Sequence, residues 1–334
     1  MEPSVTVVIA SERVNTLLAA CLNSLRDQAE DGWLEAVVAS AEPPPRGAVP
    51  PHLEVRWAQA ASRNPARRRN LAAREARGAA LAFLDDDAEA EPGWAEAGLA
   101  ALREADVAGG PDLGPRDAPY GERLSDLLLA TPWIGSGVPA HEWNPRGGPV
   151  RSPHDVALCN LFVRRETFER LGGFDESFGY IGEDTDFVRR AMDSGARVVL
   201  DPRVRVRHRR RAFPGPYLAQ RWRYRVKTGR LLVERPGLHA RGRVTALLAA
   251  GFAVSAGAAL FGARFLVPAA ACYALLTWAC ASPIWRRDLA LFPAVPFAFA
   301  AHHATYFAGL LAGISRGVFS RRPRVRVGDV GASR

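Results

Sequence analysis

The sequence predicts a doubly wound α/β domain, and three observations predict it. Short apolar, β-branched runs alternate with segments of helical period through residues 5–84. These runs are continuously apolar rather than alternating, as strands covered on both faces are. A triplet of carboxylates, Asp85-Asp86-Asp87, follows the last run directly. Ligands of open α/β sheets gather at that end of the strands.

Val5-Thr-Val-Val-Ile-Ala10 reads as the first buried strand. Leu17, Leu18, Cys21, Leu22 and Leu25 then recur at helical spacing, with Ser11 or Asn15 placed to cap the start. Residues 34–39 read as a second strand, closed by the proline-rich loop 42–51, and residues 55–58 as a third. An arginine-rich helix is expected over 64–80, with Gly78 closing it ahead of a strand at 80–84. Residues 109–153 are rich in Gly and Pro and predict an irregular segment, in which Trp133 and Trp143 serve either a ligand or the packing. Order returns as a strand at 156–163, helices at 165–171 and 183–194, and strands at 197–200 and 203–206.

Charge divides the chain. Residues 201–334 carry 23 basic and 4 acidic side chains, whereas residues 1–200 carry 21 and 31, within a total of +9. An acidic front and a basic back argue against nucleic acid as a partner of the whole protein. They suit membrane lipids with anionic headgroups better. Three apolar runs, at 244–262, 265–282 and 289–314, are long enough to be membrane helices. The last is interrupted by Pro293, Pro296, His302 and His303, so either it forms a re-entrant hairpin or the first two form a shallow one. A mean hydropathy of −0.09 excludes a protein that is membrane throughout. Cys21, Cys159, Cys272 and Cys280 lack CxxC spacing, which argues against a disulfide framework or zinc site and suits a reducing cytoplasm. Val5–Ala10 is too short for the core of a signal peptide.

Three crowded carboxylates at a strand end either project into solvent or share a divalent cation, Mg²⁺ or Mn²⁺ in the case of oxygen ligands. A second acidic group, Glu183-Asp184, opens a predicted helix. There it either complements the helix dipole or supplies a general base across a cleft.

Taken together these segments resemble the inverting glycosyltransferases of family 2. Val7-Val-Ile-Ala10 with Leu17–Leu25 resembles the family's first strand and helix. Ala66-Arg-Arg-Arg-Asn-Leu-Ala-Ala-Arg-Glu-Ala-Arg-Gly-Ala-Ala-Leu-Ala-Phe-Leu-Asp-Asp-Asp87, followed by Glu91-Pro-Gly-Trp94, resembles its central signature. Asn160-Leu-Phe-Val-Arg-Arg165, Gly172-Gly-Phe-Asp-Glu176 and Gly182-Glu-Asp-Thr-Asp-Phe187 are similar to its acceptor-side motifs, with His208 beyond. The resemblance covers residues 4 to 230. It implies a GT-A fold, a mixed sheet with helices on both faces, and a nucleotide-diphosphate-sugar donor held through Mg²⁺ or Mn²⁺. It implies that Ala10, Ser11, Glu12, Arg13, Glu42, Arg69, Asn70, Asp85 and Asp86 line the donor site. Asp85, Asp87 and His208 would hold the metal, and Asp184 would be the general base. Gly173, Phe174, Asp175, Glu183 and Trp222 would face the acceptor, a lipid-linked or cell-envelope glycan.

The expected organisation is a catalytic domain at 1–230, a basic linker at 231–243, membrane helices at 244–315 and a basic cytoplasmic tail at 316–334. That places the chain at the inner membrane with its catalytic domain in the cytoplasm. One departure stands out. The family's second strand ends in an aspartate that reads the base, whereas Val37-Val-Ala-Ser-Ala41 has none and only Glu42 follows. A membrane-bound scaffold with a vestigial transferase fold is therefore the competing reading. A nucleotidyltransferase ranks last, because Ser11-Glu-Arg-Val-Asn15 is no glycine-rich phosphate loop.

Overall fold

The computed structural model describes residues 4–28, 33–43, 49–115, 117–132, 134–136, 138–178, 181–234, 257 and 262–319. Its centre is an eight-stranded mixed sheet in the order β3-β2-β1-β4-β9-β6-β10-β8. The strands are β1 (Val5–Ala10), β2 (Leu34–Ser40), β3 (Glu54–Gln59), β4 (Ala80–Asp85), β6 (Val107–Gly109), β8 (Gly148–Pro149), β9 (Asn160–Arg164) and β10 (Val198–Leu200). A small second sheet, β5-β11-β7, joins β5 (Ala88–Ala90), β11 (Val206–His208) and β7 (Asp112–Leu113).

β1 pairs in parallel with both β2 and β4. The chain thus builds one half of the sheet outward from β1, then returns to β4 on its other side. That reversal is the switch point of a doubly wound sheet, and the register sets Ala10 opposite Asp85 there. Alternate side chains of β1 and β4 enter two cores, one on each face. Val5, Val7, Ile9, Ala82 and Leu84 pack toward α1 (Thr16–Arg26) and α3 (Trp94–Leu102). Val8, Leu81 and Phe83 pack toward α2 (Pro65–Glu75), α5 (Arg165–Arg170) and α6 (Glu183–Asp193). Of the two expected caps, Asn15 is the one used on α1, its side chain accepting from Leu17 and Leu18 backbone nitrogens.

Four expectations need correction. First, α2 ends at Glu75 rather than running to residue 80. The backbone nitrogens of Arg77 and Gly78 donate instead to the Thr6 hydroxyl, and that of Arg77 also to the buried Glu35 carboxylate. Second, β9 begins at Asn160, four residues later than the expected strand, and β11 spans Val206–His208 instead of 203–206. Third, the Gly- and Pro-rich stretch contains a regular helix, α4 (Tyr120–Ala130), which buries Leu124, Leu127 and Leu128. Trp143 packs in the same core and donates its indole N–H to Asp126 at 2.9 Å. Trp133 lies outside the described residues.

Fourth, the third apolar run is one continuous helix, α9 (Val295–Phe319), and not a hairpin. Pro293 lies in the 3₁₀ turn before it and Pro296 in its first turn, where a missing N–H costs little. α9 packs along α7 (Gly215–Glu234), with Gly229 and Gly313 each facing a main-chain carbonyl of the other helix, so the backbones touch. The second run forms α8 (Ala263–Cys280), and the first lies outside the described residues but for Gly257 and Gly262. The stretch Leu289–Phe319 is long and apolar enough to cross a membrane, with 33% of its apolar window buried in the protein.

Candidate functional site

The switch point gathers the acidic triplet. Ser11 follows β1 as Asp86 follows β4, and the Ser11 hydroxyl donates to Asp86 Oδ2 at 2.6 Å. Burial pushes the Asp86 carboxyl up to about 6, with Asp85 and Asp87 adding repulsion and the Ser11 hydrogen bond opposing it. A charged Asp86 therefore costs the fold stability once pH rises past its ordinary range, and the cost vanishes below it. Asp86→Asn is expected to raise stability at pH 7.5 by up to about 3 kcal/mol. That gain should disappear near pH 4, and denaturant titration at the two pH values checks it.

Arg69 joins this triplet to the second acidic group. Its guanidinium, only 9% exposed, donates to Asp85 at 2.8 Å and to Glu183 at 3.1 Å. Glu183 opens α6 and is itself buried. Burial and the adjacent Asp184 raise its pKa, with Arg69 opposing. Asp184 is less buried, and its Oδ1 accepts from the Thr185 backbone nitrogen at 2.7 Å. Arg69 thus fixes how far the triplet stands from the start of α6.

His208 completes the cluster through strand register. β11 pairs antiparallel with β5, setting His208 opposite Ala88 and beside Asp87. Nε2 lies 3.1 Å from Asp87 Oδ1. Burial alone would raise Asp87, but the imidazole holds it below the usual carboxylate range. Ligand atoms of Asp85, Asp87 and His208 lie within 4.8 Å of one another. Two carboxylates and an imidazole suit a hard or borderline divalent cation. Asp112, Cys159 and His208 also meet within that distance. There, however, Arg210 and His141 already engage the Asp112 oxygens, so the carboxylate is compensated without a cation.

The remaining expected site residues fall in several places. Ala10, Glu12 and Arg13 sit at the end of β1, the last two exposed, and Glu42 is exposed beyond β2. Asn70 uses both ends of its amide on the backbone of Phe174, at 2.9 Å each, so it supports the loop carrying Gly173 and Asp175. Phe174 is a correction. It is 2% exposed, packed among Phe83, Phe168 and Phe187, and offers an acceptor no surface. Trp222 is partly exposed on α7, against Gly309.

Two groups escaped the sequence reading. Arg68 is buried beside Asp86 and Glu12, with its Nε unpartnered. Its place one turn from Asn64, on the same helix as Arg69, was the available signal. Asp112 lies on a two-residue strand and had none.

Comparison with known proteins covers most of the chain. Residues 4–127 match the model described as glycosyl transferase family 2, and residues 146–312 match that described as glycosyl transferase family group 2. The O-antigen biosynthesis protein RfbC of Myxococcus xanthus is 29% identical over 152 residues, covering 42% of this chain and 12% of that protein. A pre-mycofactocin glycosyltransferase of Mycobacterium tuberculosis is 27% identical over 182 residues, covering 52% and 36%. The matches therefore span well under half the length of either curated relative. The mannosyltransferase PcManGT of Pyrobaculum calidifontis, solved with GDP-mannose and Mn²⁺, shares the GT-A type fold. Its TM-score is 0.53 at 20% identity, over 96% of this chain and 89% of that one. With the second family model alone spanning half its residues, the chain belongs to glycosyltransferase family 2.

Proposed function

We propose that the chain transfers a sugar from a nucleotide-diphosphate-sugar to a hydroxyl of a lipid-linked or cell-envelope glycan, with inversion at the anomeric carbon. The observation that carries this reading is the buried Arg69 bridge between the acidic triplet and the start of α6. It ties a cation-competent cluster to the helix start that carries the base. Asp85, Asp87 and His208 would hold Mg²⁺ or Mn²⁺, which supplies Lewis-acid stabilisation of the departing diphosphate. The fold neighbour solved with GDP-mannose and Mn²⁺ supports these ligand classes.

The chain's own residues do the rest. Glu183 is turned inward onto Arg69, which leaves Asp184 the freer of the adjacent pair to take the acceptor's proton. The acceptor oxygen then bonds to the anomeric carbon as the bond to the nucleoside diphosphate breaks. Asp86, held by the buried Ser11 hydroxyl, lines the β1 side, where the donor would lie. Membrane attachment is assigned to α9 and α8, whose Phe297, Val267 and Leu275 are exposed. Arg223 and Arg230 of α7 are exposed alongside for anionic headgroups.

A panel of nucleotide sugars, assayed with Mn²⁺ and membrane lipid extract, tests the reading. Release of a nucleoside diphosphate that stops on chelation is expected with at least one donor. A panel without turnover, in a protein that still folds, would favour the scaffold reading.

A further inference from the structure

The two nitrogens of His208 face different carboxylates. Nε2 faces Asp87 at 3.1 Å, and Nδ1 faces Asp112 Oδ2 at 3.3 Å. Asp112 is completely buried, an expensive place for a carboxylate without partners. It has four. His141 Nδ1 lies 2.5 Å from Oδ1, while Arg210 at 3.1 Å and the Cys159 thiol at 3.2 Å donate to Oδ2 alongside His208. Arg210 is anchored in turn by Asp126 at 3.0 Å. The carboxylate is thus fixed in place from both oxygens.

The small sheet lines up three side chains. β11 pairs with β7 so that Val206 stands opposite Asp112, and with β5 so that His208 stands opposite Ala88. Asp87, His208 and Asp112 consequently form one row, from the half-exposed cluster into the core.

We propose that Asp112 is a positioning residue for the cation site, accepting from His208 Nδ1–H so that Nε2 would be the nitrogen left to ligate a cation shared with Asp85 and Asp87. This rests on the reading of Asp85, Asp87 and His208 as a metal centre, and deepens it. A carboxylate behind a ligating imidazole fixes the ring's tautomer and orientation and makes the other nitrogen a better donor. Asp112 never touches donor or acceptor. It acts through His208.

Mn²⁺ binding to the full chain, followed by the EPR signal of the free ion, tests this without any turnover. Asp112→Asn should weaken Mn²⁺ binding about 10–100-fold. His208→Ala should lose at least as much, and the double variant should match His208→Ala alone, because both act through one ligand. Asp126→Asn loosens Arg210 without touching His208 or removing the Asp112 carboxylate, so its loss should be clearly smaller than that of Asp112→Asn.

Parent-like binding by Asp112→Asn, full additivity in the double variant, or an equal loss in Asp126→Asn would each overturn the proposal. If Asp112→Asn does not fold, ¹⁵N-histidine NMR of the Mg²⁺-loaded parent decides. The Nδ1–H tautomer of His208 supports the proposal and the Nε2–H tautomer overturns it. A parent that binds no Mn²⁺ removes the metal centre itself, whereas a parent that binds it and is indifferent to Asp112→Asn removes only the positioning role.

Discussion

Asp184→Asn is expected to lower turnover about 10²–10⁴-fold, the range a general base contributes. The asparagine keeps the shape and can still accept from the Thr185 backbone nitrogen, as Asp184 Oδ1 does. It cannot take a proton. Since Asp184 is none of the residues assigned to the cation or the donor, donor affinity should stay near that of the parent, so the loss falls on kcat. Glu183→Gln should behave differently. Glu183 is buried against Arg69, and removing its charge unbalances that bridge, so stability suffers together with rate. Steady-state kinetics with thermal unfolding separates the two. A loss under tenfold for Asp184→Asn would move the base elsewhere.

The largest stability effect is expected at Arg69. Arg69→Met removes the cation that bridges Asp85 and Glu183 and leaves a buried carboxylate uncompensated. Breaking a buried pair in this way costs about 3–5 kcal/mol. For a domain of this size that lowers Tm on the order of 10 °C. The sign of its pH dependence follows from Glu183, whose pKa is already raised by burial and by Asp184. Without Arg69 it rises further, so protonation relieves the strain at acid pH. The deficit against the parent should be largest near pH 8 and shrink toward pH 5. Arg69→Lys should recover only part of the loss, because an ammonium cannot span two carboxylates as the guanidinium fork does. Thermal scans at both pH values check the magnitude and the trend.

Much of this site was legible before the fold. Asp85 had to end a buried strand, because Leu81-Ala-Phe-Leu84 admits no solvated face. Glu183-Asp184 had to open a helix, because Phe187, Val188 and Ala191 follow at helical spacing. What the sequence could not express is which strands are neighbours. Ser11 meets Asp86 only because β4 returns beside β1, and Arg69 reaches Glu183 across 114 residues of chain. Asp112 gains its partners from residues 141, 159, 208 and 210, none of them near it in sequence. α4 was hidden by the Gly and Pro residues around it, although its Leu124-x-x-Leu127-Leu128 spacing is helical. Phe174 misled for the opposite reason. Its motif is specific, yet within it this ring serves the core and its neighbours carry the polar groups. The two histidines read as breaks in the third apolar run instead lie within the helix, where Nδ1 of His302 meets the Tyr217 hydroxyl and Nδ1 of His303 that of Tyr273.

The central claim is that Asp85, Asp87 and His208 hold a cation through which a nucleoside diphosphate binds. Isothermal titration of GDP and UDP into the parent and into Asp87→Ala, with and without Mn²⁺, tests it most directly. The account predicts binding of at least one nucleotide to the parent that requires Mn²⁺ and is lost in Asp87→Ala. Binding equal in both proteins, or unaffected by the removal of Mn²⁺, would contradict it.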